Sequence, residues 1–208
     1  MSAFLNPDWI RDPQSYSQYR SQVSRLLEQG KTTGKDTSET LVAYTRLNET
    51  RMNRLDHQIR LDSDMKAALH QIRIPQLWFV LAEAWCGDCA QNLPVLARIA
   101  AESGSRVDLQ ILDRDACPEL MDAFLTRGAR SIPKLIVAQR DSLEVLGTWG
   151  PRPQPVQAYM NDWKQHPESM SHEDLEKRMH LWYARDLGRT LQAELLEVLH
   201  LSGVPALH

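Results

Sequence analysis

The feature that most constrains this chain is a change of hydrophobic period in the middle of it. Residues 77–82 read Leu-Trp-Phe-Val-Leu-Ala, a near-continuous apolar run of the kind a strand buried on both faces of a sheet requires. Over 90–101 the period becomes helical, with Leu93, Leu96, Ala97, Ile99 and Ala100 available for packing. Between the two stands Trp85-Cys86-Gly87-Asp88-Cys89. A Cys-x-x-Cys at a strand-to-helix junction points to dithiol chemistry. A cysteine where a helix begins meets unpaired backbone N–H groups and the positive end of the helix dipole. Both favour the thiolate and can bring a cysteine pKa from about 8.5 toward 7 or lower. Cys86 is therefore the expected nucleophile, and Cys89 the resolving thiol that attacks a mixed disulfide formed on it. A structural zinc site needs four ligands, usually in two close pairs, and the sequence offers no second pair. No metal and no bound cofactor are expected; a thiol-binding role without turnover stays open.

The flanking chain reads as helices. Asp12-Pro13 suits a helix start, with Tyr16, Tyr19, Val23, Leu26 and Leu27 at helical spacing up to Gly30. The polar loop 31–35 lacks the spacing of a phosphate-binding loop. Thr37 or Ser38 would cap a second helix running to Ile59, and Ser63 a short third one. After the central helix, expected over 87–103, come a strand at 107–112, a helix at 118–126, and strands at 134–139 and 143–149 joined as a hairpin. A helix over 155–165 closes this part. Ser171, with Asp174 three residues on, would open one long helix to about Ser202. Its apolar stripe must be covered, either by the N-terminal helices or by a second copy in a homodimer. The expected organisation is an N-terminal helical extension at 1–72, an α/β domain at 73–165, and a C-terminal long helix within 166–208 packed on the extension.

These residues resemble the thioredoxin superfamily. The segment Ala82-Glu83-Ala84-Trp85-Cys86-Gly87-Asp88-Cys89 is similar to its active-site segment, Pro94 to its helix-kinking proline, and Ser131-Ile132-Pro133 to the segment carrying its cis-proline. The resemblance covers about residues 73–165. Arg130-Ser131-Ile132-Pro133 and Trp149-Gly150-Pro151-Arg152-Pro153 resemble a bacterial thioredoxin-like subgroup with helical extensions at both termini. The resemblance implies a central mixed sheet flanked by helices in the order β-α-β-α-β-β-α. It implies that Trp85 shields the sulfurs, that Pro133 packs beside them, and that Arg130, Ser131 and Ile132 offer groups to an extended substrate.

Three positions qualify that picture. Asp88 places a carboxylate between the cysteines, which disfavours the Cys86 thiolate and makes the couple more reducing. Val80 stands where thioredoxin has a buried aspartate, so Glu83 is the candidate to move protons in its place. The lone Cys117 reads as a small buried residue. Arg114, Arg127, Arg130 and Arg152 are candidates to rim the site. The net charge of −3 argues against nucleic acid or an anionic membrane as partner, and no run approaches the ~20 apolar residues of a membrane span. The start of the chain lacks the basic and apolar regions of a secretory signal. The expectation is a cytoplasmic thiol-disulfide oxidoreductase acting on a protein disulfide or small thiol and recharged by an external reductase or thiol. The alternative is a binding or scaffold module on the same fold.

Overall fold

A computed structural model describes residues 4–201. Four strands form one sheet: β1 (Gln76–Ala82), β2 (Val107–Asp113), β3 (Lys134–Gln139) and β4 (Val145–Trp149). Their order is β2-β1-β3-β4, with β1 parallel to β2 and antiparallel to β3, and β3 antiparallel to β4. The apolar run at 77–82 is thus central and covered on both faces, and Trp78, Val80, Leu81 and Ala82 are fully buried. The parallel pair is joined through α4 (Gly87–Glu102), and β2 leads through α5 (Pro118–Ala123) to the hairpin. After β4 comes α6 (Gln154–Gln165), completing the expected β-α-β-α-β-β-α order.

Upstream lie α1 (Tyr16–Glu28), α2 (Glu39–Gln58) and α3 (Ser63–Gln71). Helix α1 begins at Ser15, not at Asp12-Pro13, because Ser15 and Gln18 form a reciprocal capping box there. Just before it, Gln14 exchanges two backbone hydrogen bonds with Ile111, of 3.0 and 2.7 Å, so the segment closes part of the outer edge of β2. Helix α2 lies along α4. Residues from α1, α2, α3, the sheet and the last helix share one continuous core.

The single long C-terminal helix is not formed. Instead α7 (His172–Asp186) and α8 (Arg189–Leu201) are separated by Leu187 and Gly188, both in left-handed conformation at φ 53 and 80°. Gly188 also abuts α4: a Cβ there would lie 2.5 Å from Val95 Cγ2. The break divides the stripe. Leu175, Met179 and Tyr183 bury against α6, whereas α8 packs on β4, α3 and α4. The inward residues of both helices are covered within the chain, so they need no second copy to shield them. The expected end of the helix at Ser202–Gly203 lies outside the described residues. Among those described, no helix is long and apolar enough to cross a membrane.

Candidate active site

Strand β1 ends at Ala82, and the next four residues turn the chain into α4. Cys86 is the residue before the helix, in extended conformation, with no side chain capping the first turn. The free N–H groups of that turn are left to face the sulfur. Cys86 is partly exposed, and its Sγ lies 3.5 Å from the carbonyl oxygen of Ile132. The Ile132–Pro133 peptide is cis. Cys89, one turn into the helix, is 1% exposed. Burial pushes its thiol well above the ordinary cysteine range, and the adjoining Cys86 sulfur adds to the shift. Both cysteines are free thiols.

The loop before them is pinned from outside the sheet. The backbone N–H of Ala84 donates to Thr33 Oγ1 at 2.8 Å, and the Ala84 carbonyl accepts from Asn48 Nδ2 at 2.8 Å. Asn48 in turn accepts from Arg51 at 2.8 Å. Trp85 carries the Arg114 guanidinium over its ring at 5.1 Å. A different close approach holds the Pro133 loop. Gly150, at φ 117°, precedes a second cis bond to Pro151, and a Cβ on it would lie 2.2 Å from the Pro133 carbonyl oxygen. Only glycine fits there.

The two carboxylates near the sulfurs have opposite surroundings. Asp88 is buried and accepts from Arg152 at 2.6 and 2.8 Å and from the Tyr183 hydroxyl at 2.7 Å. Asn92 joins this group, donating to the Asp88 carbonyl at 2.8 Å. The carboxylate expected to oppose the thiolate unaided is therefore compensated by a guanidinium, which also feels Cys86. Glu83 has no cation. Its side chain is wholly buried, its Oε1 accepts from the Asp115 N–H at 3.1 Å, and its Oε2 has no hydrogen-bond partner. Burial drives its pKa up to about 7, against the lowering effect of Thr33 and of the Asp115 amide. Its Oε2 lies beside Gly34, which lines a small surface cleft with Asp113 and Asp115.

Two larger clefts border the motif. One, of about 400 Å³, runs from Ser131 past Arg127 and Arg152 to Lys164. The other, of about 350 Å³, lies between α2 and α7 and includes Trp85, Cys86 and Gly87 in its lining. The structure thus gathers Cys86, Cys89, Trp85, Gly87, Asp88, Glu83, Ile132 and Pro133 around one point. Arg130 is engaged elsewhere, in a two-bond pair with Asp122 at 2.6 Å, and lines neither cleft. Cys117 is fully buried at the start of α5, its thiol near the Arg11 carbonyl at 3.7 Å. Tyr183 and His180 were not visible as site residues in the sequence, since both sit on an amphipathic helix without any local motif. Arg152 was visible only as one basic residue among several.

Residues 34–164 match the family model described as Thioredoxin, a span that takes in α2 and α3 as well as the sheet. No curated protein matches. Among solved structures, a protein of unknown function from Pseudomonas aeruginosa is similar at 19% identity, covering 90% of this chain and 96% of its own, with a TM-score of 0.52. An HIV epitope-scaffold is similar at 18% identity, covering 88% and 98%, with a TM-score of 0.54. These likenesses are of fold.

Proposed function

The chain belongs to the thioredoxin family, and from that premise we propose that it is a thiol-disulfide oxidoreductase that reduces disulfides with Cys86 and Cys89. The observation that carries this reading is the placement of Cys86: partly exposed, at a helix N-terminus, one carbonyl away from cis-Pro133, with Cys89 buried one turn behind. Cys86 as thiolate attacks a substrate sulfur, forming a mixed disulfide and releasing the first thiol. Cys89 then loses its proton and attacks Cys86, which closes the intramolecular disulfide and releases the second thiol. The substrate gains two electrons and the protein loses two, which an external dithiol or reductase of the cytoplasm restores.

The second step needs a base, because burial holds Cys89 in its thiol form near neutral pH. Glu83 suits that role. Its pKa of about 7 lets it both accept and give up a proton at physiological pH, and Gly34, beside Oε2, lines a surface cleft. A buried, protonated resolving thiol also leaves the dithiol form little stabilised, which favours a reductant over an oxidant.

Trapping tests the proposal. In Cys89→Ser the mixed disulfide on Cys86 cannot be resolved, so substrate accumulates as an adduct that dithiothreitol releases, and wild type should reduce insulin disulfides with a dithiol as donor. Partners retained without a reducible bond, together with no insulin reduction by wild type, would make the chain a binding module instead.

A further inference from the structure

The cleft between α2 and α7 meets Cys86 on the side away from the basic residues of the Pro133 region. Its walls are Leu41 and Tyr44 from α2 and Trp85 from the active-site loop, closed by Arg51, Glu176 and His180. Tyr44 is 38% exposed and lines the cleft with its ring. His180 lies over Gly87, where a Cβ would come to 3.0 Å from its Cε1, a tight contact that the imidazole would have to ease by a few tenths of an ångström. Burial and the nearby Arg51 lower the His180 pKa to about 4, and Gln91 holds its Nδ1 at 3.3 Å, so the imidazole is a neutral wall at pH 7. Arg51 and Glu176 carry opposite charges and offset one another. The cleft is also lined by His172, 3.6 Å from Glu176, and is largely apolar; its volume of about 350 Å³ is near the lower end of the ~300–1,000 Å³ typical of small-molecule sites.

We infer that this cleft is the subsite for a low-molecular-weight disulfide flanked by an aromatic or branched apolar group, seated between Tyr44, Leu41 and Trp85 with its sulfurs at Cys86. The inference rests on the dithiol reading of Cys86 and Cys89 and names the substrate class of that site. Attack by the Cys86 thiolate breaks the substrate S–S bond, forms Cys86–S–S–R, and expels RS⁻, which takes a proton from water. Cys89 completes the reduction as above and releases the second RSH.

The test compares two alkyl disulfides with leaving thiols of similar basicity, dibenzyl disulfide and bis(2-hydroxyethyl) disulfide, each with wild type and a dithiol donor. Burial of a ring predicts a kcat/KM at least tenfold higher for the benzyl compound, after division by the rates of free dithiothreitol. Leu41→Trp, which fills the cleft, should bring the ratio toward one, and Tyr44→Ser, which removes the platform, should lower it if the first variant fails to fold. A wild-type ratio below about twofold, or one that neither variant changes, overturns the subsite while leaving the dithiol chemistry standing. Inertness toward both disulfides and insulin alike would overturn both readings.

Discussion

Two carboxylates accompany the cysteines, Asp88 between them and Glu83 three residues before Cys86, and the contrast between them is instructive. Asp88 is fixed by Arg152 and Tyr183, two residues that come from the segment after β4 and from α7. Its negative charge is matched in place, so it ties the C-terminal half to the first turn of α4. Glu83 has been given burial, a single backbone donor and no cation. One carboxylate is held by a guanidinium and a hydroxyl; the other is buried without a cation, and burial raises its pKa to about 7.

Three experiments would break or sharpen that contrast. The largest effect belongs to Arg152→Met, which strands a buried carboxylate. It should lower unfolding stability by about 3 kcal/mol near neutral pH, since losing one partner of a buried pair costs far more than the pair contributes. Denaturant titration measures this, and a loss within error would mean that Asp88 is solvated and the contrast false. Next comes Glu83→Gln. The folded pKa of about 7 lies above the ordinary carboxylate value, so the native protein binds the proton more tightly than the unfolded chain. Stability from this group is full below the unfolded pKa and drains away as pH rises through 7, a change of about 3 kcal/mol that the variant should abolish. The variant should also resolve mixed disulfides about tenfold more slowly and lose any inflection near pH 7. Unchanged turnover between pH 6 and 8 removes Glu83 from the mechanism. The smallest effect is that of Asp88→Asn. Freed from its partner, Arg152 can turn its charge on Cys86, and alkylation of that thiol by iodoacetamide at pH 7 should quicken several-fold. No change would show that neither charge reaches the sulfur.

Much of the fold was legible because the elements around the motif are set by short-range pattern. The run 77–82 could only be a buried strand, and its observed bounds of Gln76–Ala82 follow the apolar residues themselves. The C-terminal helix was misread because leucines kept helical spacing straight through Asp186-Leu187-Gly188. The one available signal was the glycine, and its significance is tertiary: it turns the chain where Val95 leaves no room for a side chain. The site divided in the same way. Cys86, Cys89 and Pro133 stand in local motifs, whereas the partners of Asp88 lie 64 and 95 residues away and are chosen by packing alone. For Glu83 a position is legible but its environment is not, and the environment is what sets its proton affinity.

The grip on Ala84 carries a consequence for where this domain can be said to start. Both polar groups of that residue are satisfied by Thr33 and Asn48, and neither side chain belongs to the sheet or its crossover helices. A fragment beginning at residue 73 would keep every strand and both cysteines, yet lose the side chains that hold both backbone groups of Ala84. What holds the cysteine loop still thus reaches back to Thr33, well upstream of the first strand.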